Sequence, residues 1–175
     1  MQEDYYLDKL YPLQDTVLSL LNKSNSAFYL TGRTALSRGY FHHRYSDDLD
    51  FFVNNDDCFK EHVELIWKIL EDDPTLKSET ITATDSFVRV SIVKDDVILK
   101  LDFVNDINYH IGDIHSSDLF HKIDSLENIL TNKISALPRS EAKDIVDIYF
   151  IVKHYNFDWK EIIWKAKKRM GGLIH

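Results

Sequence analysis

YLTGRTALSRGYFHHRYSDDLDFF, residues 29–52, sets a glycine turn ahead of two carboxylates spaced as Asp48-Leu49-Asp50. Phe28 to Thr31 reads as a short buried strand, Gly32 as a turn and Arg33 to Gly39 as a short helix. A helix N-terminus exposed after a strand is a ready anion site. In the strand that follows, Leu49 to Val53, residues two apart point to one face, so Asp48 and Asp50 project together. Adjacent carboxylates repel unless a cation lies between them, and Mg²⁺ fits, since it takes one or two carboxylates and fills its other positions with water and substrate phosphates. A phosphate cradle beside a metal-binding carboxylate pair is the minimum equipment for phosphoryl or nucleotidyl transfer.

Downstream, Phe87 to Val93 and Val97 to Val104 read as two strands joined by a tight turn at Lys94-Asp95-Asp96. In VILKLDFV, Val97, Leu99, Leu101 and Phe103 alternate onto one face, which leaves Ile98, Lys100, Asp102 and Val104 on the other. Asp102 is thus a carboxylate in a strand apolar enough to be central, and it needs a partner. A metal shared with Asp48 and Asp50 would supply one; the alternative is an aspartate near a strand end, hydrogen-bonded or solvated.

Two helical patterns follow. Asp124 and Glu127 have the spacing of a capping box, and Leu126, Ile129, Leu130, Ile134 and Leu137 form an apolar stripe behind it. Lys133 lies within that stripe, where a lysine either snorkels to the edge or reaches into a cleft. The next helix, opened by Ser140, carries Asp144 and Asp147 on one face, and Lys143 and Asp147 stand at i and i+4. That face is either solvated or part of a site. Arg44 either contacts a phosphate or fixes its loop by pairing with an aspartate, whereas the adjacent His42 and His43 point to opposite sides of an extended chain and do not suit a joint metal site.

Tyr5 to Leu21 reads as an amphipathic helix, and Phe59 to Leu70 as another with Val63, Ile66, Trp67 and Leu70 at helical spacing. Strands mixed with helices, then a helical stretch from about Asp124, predict an α+β fold in which a mixed sheet is covered by helices. With 175 residues, 44% hydrophobic, five Gly and three Pro, the chain is expected to form one domain with a helical C-terminal extension. The single cysteine, Cys58, excludes a disulfide framework and a cysteine zinc site. No apolar span approaches bilayer length and Met1-Gln-Glu-Asp lacks the features of a signal peptide, so a cytoplasmic protein without a membrane partner is expected. A net charge of −8 argues against gripping nucleic acid with the whole surface. The last helix is an exception: Lys160, Lys165, Lys167, Lys168 and Arg169 surround a stripe of Trp159, Ile162, Ile163, Ala166 and Met170, and its basic side either is solvated or meets RNA.

The run TGRTALSRGYFHHRYSDDLDFFV resembles the signature of the AbiEii-type nucleotidyltransferase toxins, a branch of the polymerase-beta-like nucleotidyltransferase superfamily. KLDF around Asp102 and KISALPRSEAKDIVDIYFIVK from Lys133 to Lys153 continue the resemblance, so that it spans most of the chain from residue 28 to 155. One departure is Arg33, where the superfamily usually has Gly or Ser after the turn glycine. The resemblance implies a nucleotidyltransferase fold with a catalytic core over residues 1–116 and a helical region over 117–175 that completes the active site. It implies an enzyme that moves a nucleoside monophosphate from a nucleoside triphosphate to an acceptor hydroxyl. Asp48, Asp50 and Asp102 would hold Mg²⁺ or Mn²⁺ and act in catalysis with Lys133 and Asp144. Thr31, Gly32, Arg33, Thr34, Arg44 and Lys133 would bind the nucleotide. The resemblance further implies the toxin of a bacterial toxin–antitoxin pair, restrained by a separately encoded antitoxin, with tRNA 3′ ends as acceptor. Two other classes share these residues: a small-molecule nucleotidyltransferase of the antibiotic-modifying kind, and a non-catalytic binding module, to which Arg33 points.

Overall fold

A computed structural model describes residues 2–139 and 141–171. Ser140, expected to open a helix, lies outside the described residues. The fold is α+β. Five strands, β1 (Tyr29–Thr31), β2 (Leu49–Asn54), β3 (Lys77–Ala83), β4 (Phe87–Lys94) and β5 (Val97–Asp106), form one mixed sheet in the order β1-β2-β5-β4-β3. β2 and β5 run parallel at its centre, and the other neighbours are antiparallel.

Strict alternation decides which face is covered. Leu49, Phe51 and Val53 of β2 and Val97, Leu99, Leu101 and Phe103 of β5 are buried, as are Val88, Val90 and Ile92 of β4. They meet the apolar sides of α2 (Tyr11–Asn22) and α4 (Phe59–Glu71), where Phe28 lies edge-on to Phe59 and Phe51 stacks on Phe103. Truncating one of these rings to alanine would cost about 3–5 kcal/mol.

α1 (Gln2–Tyr5) runs into α2 through a π-helical turn at Tyr6–Leu10. α3 (Gly32–Thr34) likewise continues as a π-helix, Ala35–Phe41, where the sequence predicts an ordinary helix from Arg33 to Gly39. α5 (Leu126–Ala136), α6 (Ala142–His154) and α7 (Trp159–Gly171) close the opposite face. No helix among the described residues is long and apolar enough to cross a membrane.

β3 has no counterpart in the sequence reading. Its residues KSETITA are almost all exposed, so no apolar alternation announces it, and a register shift between Thr80 and Thr82 marks it as an irregular edge strand. The α5 cap is also one residue later than expected: Ser125 accepts from the Asn128 N–H, while Asp124 is fully buried. In α7 the buried side is Ile162, Ala166 and Arg169, and Trp159 and Ile163 of the expected stripe are exposed.

Candidate active site

Sheet register builds the floor of the site. Thr31 pairs with Asp50, Asp50 with Asp102, and Asp102 with Arg89, so one row crosses four strands on the face left free by the core. The next row, Tyr29, Phe52, Val104 and Phe87, is its apolar border. Asp48 lies just before β2 and lines the same cavity. Thr31, Gly32, Arg33, Arg44, Asp48, Asp50, Asp102, Lys133 and Asp144 all line one cavity of about 570 Å³, a size suited to a small-molecule ligand.

The turn after β1 touches the carboxylates directly. Gly32 has φ +67°, and a Cβ placed there would overlap Asp50 Oδ2. Gly32→Ala is therefore expected to cost about 1–2 kcal/mol and to displace Asp50, which urea unfolding and a fall in cation affinity would register together. Behind the turn, Thr34 is buried, donates to the Asp48 carbonyl oxygen and shares a second hydrogen bond, 2.8 Å long, with the Ser46 hydroxyl. Thr34 therefore fixes the backbone of Asp48 and does not line the cavity. Buried Gln14 of α2 reaches the Ser46 and Asp47 carbonyl oxygens at 3.1 and 3.3 Å, clamping the same loop. Thr31 donates to Asp124, whose two carboxylate oxygens both accept from the Asn128 amide nitrogen at 3.0 Å, tying the turn to the start of α5.

Charge on the floor is poorly compensated. Among the described residues, neither the Asp48 nor the Asp50 carboxylate accepts a hydrogen bond. Burial, reinforced by Asp102 and Asp48, pushes the Asp50 carboxyl up to about 7, and burial likewise raises Asp48. Asp102 differs, because Arg89 bonds both its oxygens at 2.7 and 2.6 Å. No three His, Cys, Asp or Glu side chains among the described residues stand ready to hold a metal ion. The donor chemistry nevertheless suits a hard cation: hydrogen-bond-free carboxylates, crowded and desolvated, beside a third in register.

The cationic wall comes from α5, α6 and the loop before β2. Lys133 does not snorkel; it is buried, with Asp144 at 2.8 Å and Asp147 at 2.7 Å. Asp147 is fully buried and takes the Arg44 fork at 2.7 and 2.7 Å as well as His43 at 2.8 Å. Burial alone would raise its carboxyl, but these partners outweigh burial and hold it at about 2. The solvated reading of this helical face is thus overturned, and of the two open roles for Arg44 the structure shows pairing with an aspartate. Arg33 pairs with Glu141 just before α6. Sequence reasoning missed Arg89, and it put Arg169 only on the basic side of the last helix, whereas the residue is buried in the cavity wall and paired with Asp106. Lys165, one of the candidate RNA-contacting lysines, is held by Glu127 and Glu161.

The fold is that of known nucleotidyltransferases. A Helicobacter pylori protein described as a nucleotidyltransferase superimposes with a TM-score of 0.65 at 24% identity, over 84% of this chain and 70% of its own. JHP933 from Helicobacter pylori gives 0.64 at 23% identity, over 84% and 68%. MenT4, a nucleotidyltransferase toxin of Mycobacterium tuberculosis, gives 0.52 at 15% identity, over 74% of this chain and 52% of its own. At these identities the likeness concerns the fold. No curated protein sequence matches the chain significantly. The profile of the family described as Nucleotidyl transferase AbiEii toxin, Type IV TA system, matches residues 18–170. That match takes in the glycine turn, all three floor carboxylates and the Lys133–Asp144–Asp147 cluster, and the chain belongs to this family of nucleotidyltransferase toxins.

Proposed function

We propose that the protein transfers a nucleoside monophosphate from a nucleoside triphosphate to an acceptor hydroxyl in a metal-dependent reaction. The supporting observation is a single cavity whose floor holds Asp48, Asp50 and Asp102, whose rim is the Gly32 turn and whose wall presents Lys133 and Arg44. Asp48 and Asp50, joined by Asp102, would hold Mg²⁺ or Mn²⁺, which when bound neutralises charge developing on the phosphates. The turn at Gly32, at the start of α3, would present backbone N–H groups to the phosphates, and Arg33 would add a guanidinium where a small residue is usual. Lys133, oriented by Asp144 and Asp147, supplies an ammonium beside the floor. Transfer forms a bond between the acceptor oxygen and the α-phosphorus and breaks the bond to pyrophosphate, with the hydroxyl proton passing to a carboxylate, for which Asp102 is the candidate base. Residues 1–116 and 117–175 share the work, the second supplying Lys133 and Asp144.

The same proposal takes a tRNA 3′ end as acceptor, a separately encoded antitoxin as partner and the cytoplasm as location, in keeping with the toxin family. Of the α7 lysines, Lys168 stands over the Tyr109 and Trp164 rings, 5.4 and 5.2 Å from their centroids, as a cation beside stacking surfaces. The first test is thermal unfolding. Mg²⁺ and a triphosphate together are expected to raise the melting temperature more than the sum of their separate effects, because each binds only the folded site and each completes it for the other. No shift with any of the four common triphosphates would remove the catalytic reading in favour of a binding module.

A further inference from the structure

Asp102, the third floor carboxylate, is already occupied by a cation belonging to the protein. Arg89 and Asp102 are direct partners across β4 and β5, and Arg89 Nε and Nη2 take one oxygen each. Asp102 is also the register partner of Asp50, so the guanidinium engages Asp102 on the row where a cation shared with Asp50 would draw on it. A divalent ion approaching Asp102 meets both occupied oxygens and a like charge.

Arg89 is not locked in place. Its side chain is 40% exposed while Asp102 is 14% exposed, and the Phe87 ring, 5.5 Å from its guanidinium carbon, offers an alternative surface on the same strand face. Arg44 and Lys133, by contrast, are held by Asp147 inside the wall. A phosphate presents the same pair of oxygens to a guanidinium as a carboxylate does. An arriving triphosphate therefore brings both the metal that Asp102 would take and a replacement anion for Arg89.

We infer that Arg89 is a positioning residue that holds the place of the metal on Asp102 in the resting protein and passes to the phosphates when a metal-bound triphosphate enters. This rests on the nucleotidyl-transfer reading above. It makes cation and triphosphate cooperative ligands: the cation alone has Asp48 and Asp50, and the third carboxylate becomes free only in the ternary complex.

The experiment measures Mn²⁺ affinity by electron paramagnetic resonance of the free ion, with and without a triphosphate carrying an imido link between its α and β phosphorus atoms, which blocks transfer. Arg89→Gln is expected to bind Mn²⁺ alone about tenfold more tightly than wild type and the analogue more weakly, so that coupling between the two shrinks. Arg89→Lys, which keeps charge but loses the bidentate fork, is expected to fall between them. Asp102→Asn is expected to leave Mn²⁺ affinity within about twofold of wild type without the analogue, and to lower it with the analogue. If Arg89→Gln binds Mn²⁺ alone no more tightly than wild type, Arg89 supports the carboxylate and the inference fails while the proposed function stands. If wild type binds no Mn²⁺ even with the analogue, the proposed function fails and the inference with it.

Discussion

Asp147→Asn is expected to destabilise the fold by about 3–5 kcal/mol. The reason is what the side chain leaves behind. Arg44, His43 and Lys133 converge on this one buried carboxylate from the loop before β2 and from α5. An amide of the same shape keeps part of the hydrogen bonding but removes the charge that compensates buried Lys133 and partly buried Arg44. The folded carboxyl, held at about 2, also signs the pH dependence. Its contribution is full above the unfolded value near 4 and is lost as pH falls from there through 2. Urea unfolding at pH 7 and pH 3 checks both statements: the gap between wild type and Asp147→Asn should be wide at the first pH and narrower at the second. A gap below about 1 kcal/mol at pH 7 would mean that Arg44 and Lys133 find other partners.

Asp50→Asn should act in the opposite sense on stability while abolishing function. Asp50 pays for its position, since burial and two neighbouring carboxylates raise it to about 7. A raised acid is harmless to stability below its unfolded pKa and costs more as pH climbs through the folded one. At pH 8 the amide is therefore expected to be more stable than the carboxylate by roughly 4 kcal/mol, with the difference vanishing below pH 4. Nucleotidyl transfer should fall by a factor on the order of 10³ or more, as expected when charge stabilisation in the transition state is removed. A variant both less stable at pH 8 and still active would contradict the role given to this carboxylate.

Local pattern carried much of this architecture. Alternation in LDFFV and VILKLDFV assigns every buried residue of β2 and β5 correctly, because one face of each strand is covered and the other is not. The register that puts Arg89 opposite Asp102 was also within reach: a two-residue turn at Asp95-Asp96 fixes the pairing of the whole hairpin. Arg89 went unnoticed because an arginine among Val88, Val90 and Ile92 reads simply as the polar side of a strand.

Other features depend on contacts that no short-range pattern encodes. The parallel pairing of β2 with β5, which sets Asp50 beside Asp102, joins segments about fifty residues apart. Asp147 looks like any surface aspartate at i+4 from a lysine, and it becomes a hub only when α6 docks on the loop that carries His43 and Arg44. Lys133 was recognisable as out of place in an apolar stripe, but its two aspartate partners lie in the next helix. Exposed β3 carried no hydrophobic signal at all.

Transfer of the α-phosphoryl group with its nucleoside at the Asp48–Asp50 floor is tested most directly by following the label. Wild type and Asp50→Asn are incubated with Mg²⁺, total tRNA and each triphosphate, labelled in parallel at the α or the γ phosphorus. Wild type is expected to attach α label to the tRNA and to release γ label as pyrophosphate, and Asp50→Asn to do neither. Label from the γ position on the tRNA, or α label attached equally well by Asp50→Asn, would contradict it.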